Sequence, residues 1–179
     1  MKRIITLIVL AVVCTAAFAQ EKKKLFRETT EIAQIENGDK EVMVFSMPEN
    51  GQEHYYLCVG TLGVGDKVIQ FNVDPLFNLF IPIGNTLAEA QDTLDQLKEL
   101  AKQSKGAEME MVGSVAIGYP DDSLNEPVTV RAFKFLVEKK LEFSVKRGEY
   151  FRSAYLTKID ITALANGVKM YRKLHPKQQ

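Results

Sequence analysis

Between Thr29 and Ile83 the apolar residues fall in short runs separated by turn signals, and no run has the period of about 3.6 residues that marks a helix. Asn37-Gly38 lies between two such runs and is a hairpin signal, predicting strands from Thr30 to Glu36 and from Lys40 to Met47. The "PENG" stretch at 48–51 predicts a turn with Pro early and Gly last. In the "QEHYYLCVGTL" that follows, Tyr55, Leu57 and Val59 share one face of a strand. Next, "DKVIQFNV" alternates at Ile69, Phe71 and Val73, and Asp74-Pro75 breaks it before "LFNLFIPI", apolar on both faces apart from Asn78 and Pro82. Five strands in an antiparallel meander are expected.

The period changes after Gly84. Leu87, Ala90, Leu94, Leu97 and Ala101 recur at spacings of three and four, with Glu89, Asp92, Asp95, Lys98, Glu99 and Lys102 on the opposite face. This is an amphipathic helix with a Thr86/Glu89 capping box at its start and Gly106 as its expected stop. Alternation returns at Met109, Met111, Val115 and Ile117, and a polar loop spans Tyr119 to Pro127. Three more strands are read in "VTVRAFKFLV", "LEFSV" and "YFRSAYLTKI", with "KRGE" at 146–149 as a tight turn. At the end, Leu164, Val168 and Tyr171 suit a helix capped by Asp160 or Thr162, whereas Asn166-Gly167 suits a hairpin; basic residues in the last turn favour the helix.

Strands, helix, strands, helix is the order of an α+β fold. The expectation is an antiparallel β-sheet of about eight or nine strands, meander-rich, with one long amphipathic helix in the middle of the chain and a C-terminal helix. The first residues change the picture of where the protein works. Lys2 and Arg3 precede an apolar run from Ile4 to Val13 and small residues at Ala17 and Ala19, the pattern of a secretory signal cleaved after Ala19. The run falls short of the ~20 residues that span a bilayer, so no transmembrane segment is expected after cleavage. Cys14 follows Val13, where a lipoprotein signal places a small residue, and lipidation is not expected. The chain divides into residues 1–19 as signal peptide, 20–28 as polar linker and 29–179 as a single domain, in a periplasmic or extracellular setting.

Acidic and basic residues number 23 each, and loss of Lys2 and Arg3 tips the balance slightly acidic, which favours neither nucleic acid nor an anionic membrane. Cys58 becomes the only cysteine, without an internal disulfide partner, and reads as a buried small hydrophobe.

Candidate chemistry is sparse. "CVGTLGVGDK" at 58–67 has the glycine order G-x-x-G-x-G, the reverse of the dinucleotide fingerprint, and a strand pattern follows it where a phosphate site needs a helix N-terminus. A hairpin turn at Gly63-Val64-Gly65-Asp66 is expected there. His54 and His175 are far apart and no metal-ligand spacing occurs, so no cofactor or metal is expected. Asp121, Asp122, Asn125 and Glu126 supply oxygens without a calcium-loop spacing. His54, Tyr56 and Cys58 share a strand face, but His54 and Cys58 stand about 13 Å apart along it, beyond the reach of a Cys-His dyad. Asp92-Thr93-Leu94 and Asp122-Ser123-Leu124 resemble short O-glycosylation sites of exported bacterial proteins.

The residues singled out for binding are therefore Tyr119, Asp121, Asp122 and Ser123 in the long loop, with His54 and Tyr56 on the strand. An apolar cavity lined by "LFNLFIPI" is the other possibility for a ligand site. The expected function is an exported, non-enzymatic binding or interaction module of the bacterial envelope, taking a small ligand or a protein. A small hydrolase assembled only in the fold and a self-associating structural subunit, a homo-oligomer, are the alternatives.

Overall fold

Strand β6, Glu108–Ile117, is paired with two different neighbours along its length, and the architecture follows from that. Its residues 108–113 pair with β7, Glu126–Phe135, and its residues 114–117 pair with β5, Phe77–Gly84. The structure is a computed structural model describing residues 28–37, 40–60, 62–64, 77–103, 105–135, 137–147 and 150–176. The proposed signal peptide, Cys14, most of the 20–28 linker and the "DKVIQFNV" strand lie outside them.

On the N-terminal side of β6, β5 pairs with β3, Gln52–Gly60, then β2, Lys40–Glu49, then β1, Thr30–Asn37. On the other side, β7 pairs with β8, Glu138–Arg147, then β9, Tyr150–Thr157, and β9 takes a three-residue edge strand β4, Leu62–Val64. All pairs are antiparallel, and the order is β1-β2-β3-β5-β6-β7-β8-β9-β4. Because β4 begins two positions after β3 ends, the halves of the sheet are joined twice, through β3–β4 and through β6. This corrects the expected five-strand meander: β5 pairs directly with β3, and the next strand in the chain after β3 goes to the far edge of the sheet. Gly63 and Val64 accordingly pair with Arg152 and Phe151 and are not turn residues. Likewise Pro48 pairs with Glu53 within the β2–β3 ladder, and the turn is Asn50-Gly51, both with positive φ.

Two helices, α1 at Leu87–Leu100 and α2 at Lys158–Leu174, cover the inner face. The mid-chain helix is only 14 residues long, and the C-terminal one, at 17, is longer. All five predicted apolar positions of α1 are buried. Thr86 caps it by accepting from Glu89 N–H at 3.2 Å, while the Glu89 carboxylate takes the N–H of Asn85, so the capping box closes one residue early. Gly106 does not stop α1, which ends at Leu100; it donates its N–H to Ala132 O and begins the pairing with β7. α2 is helix throughout, and its cap is Thr157, neither Asp160 nor Thr162 as expected; Asp160 is instead the third helical residue and completes a full capping box.

The inner positions of the strands form one core with both helices. Val44, Leu57, Ile81, Val130, Phe143 and Leu156 represent the strands, and Leu94, Leu97, Leu164 and Val168 the helices. α2 touches β1 at one margin and β8 and β9 near the other, so the sheet curls round the helix pair. A second, smaller cluster of Phe45, Met47, Tyr56, Cys58, Phe80 and Ala116 fills the outer face of the N-terminal half. The apolar residues of β5 thus serve the two cores; Ile117, read as inward, is 59% exposed at the end of β6.

Two glycines mark close approaches. At Gly113, where β6 changes partner, a Cβ would stand 2.8 Å from Phe80 O. That oxygen belongs to paired backbone and cannot yield, so Gly113→Ala is expected to cost about 2 kcal/mol in urea unfolding. In α2, a Cβ at Gly167 would stand 2.6 Å from Ala33 Cβ on β1. Alanine gains about 1 kcal/mol of helix propensity over glycine, whereas overpacking costs roughly 1–3 kcal/mol. Gly167→Ala is therefore expected to destabilise by about 1 kcal/mol, and Ala33→Gly in the same chain to restore the loss; a stabilised single variant contradicts the contact.

Candidate functional site

The loop after β6 folds back over the second apolar cluster. A single 3₁₀ turn, Asp122–Leu124, is capped by Asp121, whose Oδ1 accepts from Ser123 N–H at 3.0 Å and from Ser123 Oγ at 2.6 Å. Asp121 N–H donates to Ser114 Oγ at 3.3 Å, and Tyr119 N–H donates to Ile117 O at 3.0 Å. Tyr56 OH reaches Asp122 Oδ2 at 3.4 Å, and Asn125 Nδ2 donates to Asp122 Oδ1. Tyr56 and the loop singled out in the sequence do meet, therefore, and their contacts tie the loop to the sheet. Tyr56 is fully buried beneath it, Tyr119 is half-buried, and Asp121, Asp122 and Ser123 are exposed. His54 stands two residues before Tyr56 on the same strand face, half-buried, opposite Met47. Cys58 is buried in the smaller apolar cluster. Of the two glycosylation-like triplets, Thr93 is half-buried in α1 with its hydroxyl donated to Ile83 O, while Ser123 is exposed.

A different place gathers polar groups into a concavity. Where β7, β8 and β9 turn their outer face away from the helices, an open hollow of about 460 Å³ forms. Register sets its floor as rows across three strands, about 7 Å apart along them. One row is Arg131, Glu142 and Tyr155; the next is Thr129, Ser144 and Ser153. Beyond them Lys146 pairs with Phe151, whose ring lines the hollow. Each of these residues alternates with a core residue on the same strand, such as Val130, Phe143 or Ala154, so burial of one face aims the other outward.

Carboxylates hold three of the polar groups. Tyr155 OH donates to Glu142 Oε1 at 2.9 Å, Ser153 Oγ approaches the same oxygen at 3.5 Å, and Arg131 Nε is bonded to Glu108 Oε1 at 2.7 Å. The Tyr155 ring is braced edge-on by Phe133 at 5.7 Å, and Lys146 Nζ sits 5.7 Å from the Phe151 centroid. Burial, then the hydrogen bond to Glu142 and that residue's charge, hold the Tyr155 phenol above the usual tyrosine range. Such a site offers hydroxyls that donate and accept, one carboxylate, one guanidinium and an aromatic ring, all pre-set in a ladder. None of these residues is singled out by a motif in the sequence. Among the described residues, no group of three or more His, Cys, Asp or Glu is placed to hold a metal ion, and no helix is long and apolar enough to cross a membrane.

The fold and site define an α+β protein whose antiparallel sheet wraps a helix pair and presents a polar hollow on its outer face. No family model, no curated protein and no solved structure matches the chain.

A raised tyrosine disfavours the phenolate in the fold, so its contribution to stability is whole below the ordinary tyrosine pKa and is lost as pH rises toward the folded value. In an alkaline absorbance titration the step missing from Tyr155→Phe should lie above that of free tyrosine. Glu142→Gln should bring the step down without reaching the free value, because burial is the larger cause. A step at the free value in the parent protein contradicts the arrangement.

Proposed function

We propose that the protein is an exported, non-enzymatic binding module of the bacterial envelope, and that the hollow on β7, β8 and β9 is where it takes a small ligand. The observation that carries this is the convergence of six polar side chains and Phe151 on one hollow of about 460 Å³, within the range of small-molecule sites. Strand register places every polar group, and Arg131, Glu142, Ser153 and Tyr155 are also held by hydrogen bonds, so little ordering is left to be done on binding. Binding is favoured over covalent chemistry by the state of Tyr155. A tyrosine nucleophile needs its proton drawn off, and here burial and Glu142 hold the proton on.

The test is an NMR screen of the chain from Gln20 onward against a mixed library of small polar fragments. Perturbations are expected to gather on Thr129, Ser144, Ser153 and Tyr155, and Tyr155→Phe is expected to weaken the binding fragments by about tenfold through the lost hydroxyl. Perturbations confined to Asp121, Asp122 and Ser123 would move the site to the loop and overturn the proposal.

A further inference from the structure

We infer that the ligand class of the β7–β9 hollow is a neutral carbohydrate. The inference rests on the binding reading above and narrows it. Three properties of the hollow select the class together.

The first is charge. Arg131 lies between Glu108, to which it is bonded, and Glu142, its cross-strand neighbour; Lys146 lies over Phe151. Glu110 is the cross-strand neighbour of Thr129, and Lys140 stands two positions before Glu142 on the same face, so Arg131, Lys140 and Lys146 are matched by Glu108, Glu110 and Glu142 in and beside the hollow, and each sign sits beside the other. An anion bound centrally would meet the Glu142 carboxylate, and a cation would meet the Arg131 guanidinium. An uncharged ligand meets neither penalty.

The second is the character of the donors and acceptors. Four hydroxyl side chains, Thr129, Ser144, Ser153 and Tyr155, occupy two adjacent rows with Glu142 between them. A hydroxyl both donates and accepts, so neighbouring hydroxyls on a ligand are matched without a fixed polarity. The carboxylate of Glu142 takes two donors from the protein, and its remaining lone pairs suit a pair of ligand hydroxyls. A mainly apolar ligand would leave these groups stripped of water and unpaired.

The third is the ring of Phe151 at the end of the rows. It is 42% exposed and shares its strand face with Ser153 and Tyr155. A large aromatic left open beside a row of hydroxyls offers an apolar platform next to hydrogen-bonding groups. Pyranose rings have that same division, with C–H groups on one face and hydroxyls round the edge. The hollow spans three strands, about 10 Å, and three rows, about 14 Å, an area suited to a short saccharide.

The test is a printed glycan array carrying neutral, sialylated and sulfated oligosaccharides, probed with the chain from Gln20 onward and followed by NMR titration of the retained sugars. Neutral glycans should be retained and should shift Ser144, Ser153 and Tyr155. Phe151→Ala and Ser144→Ala should each weaken them by about tenfold. Their urea midpoints should stay near that of the parent, which separates lost contacts from lost folding. Retention of only sialylated or sulfated glycans overturns the inference, as does neutral-glycan binding that both variants leave unchanged. If polar fragments mark the hollow but no neutral glycan is retained, the carbohydrate class falls and the binding reading stands. If nothing marks the hollow, both fall.

Discussion

At Gly113 strand β6 leaves β7 and takes up β5, and Phe80 O occupies the space where a side chain would begin, 2.8 Å from the position of a Cβ. Both ladders need that approach. Without it the backbone of β5 would be held off, the Phe80–Ser114 pair would open, and the N-terminal strands would lose their register with the C-terminal ones. The second junction, β3 into β4, joins the same two halves from the other direction. A sheet tied at two places cannot lie flat. It curls round α1 and α2, and one continuous core then contains side chains from both halves.

From the curl follows the division of labour between the faces. Inner positions go to the helices. Outer residues Phe45, Met47, Tyr56, Cys58, Phe80 and Ala116 form the smaller apolar cluster, and the loop at 118–125 folds back against it, pinned by Asp121, Asp122 and Ser123 through Ser114 and Tyr56. Outer positions on β7, β8 and β9 are polar, and they are the ones that remain open in a hollow. A regular ladder is a good scaffold for recognition because strand pairing has already fixed where each side chain stands. Glu142 organises the hollow: Tyr155 and Ser153 both point to it, and the phenol's retained proton is the electrostatic consequence.

Much of this fold was legible in the sequence. The three-and-four spacing from Leu87 to Ala101 marks the buried apolar positions of α1 and its C-cap, missing only the buried Gln91, and Tyr55, Leu57 and Val59 do share the inner face of β3. Local pattern carries that information because it depends only on the period of the element. Pairing partners do not. Nothing local distinguishes a turn at Gly63-Val64 from a strand that pairs with Phe151 and Arg152 nearly ninety positions on, and so β4 was missed. Gly167 reads as a helix fault until Ala33 is seen against it. The hollow was within closer reach. Thr129 and Arg131, Glu142 and Ser144, Ser153 and Tyr155 are the polar alternates of strands that the sequence did identify, and the β8–β9 register sets Ser144 opposite Ser153. The loop is the more conspicuous candidate because long loops so often carry function. In the fold its polar groups bind mainly one another and the sheet.

Amide hydrogen exchange under native conditions tests most directly whether the double junction makes one structure of the two halves. The account expects the slowest amides of β3 and β5 and those of β7 and β8 to open with a single common free energy, equal to that of global unfolding. Two separate free energies, one for the strands before α1 and another for those after it, would contradict it.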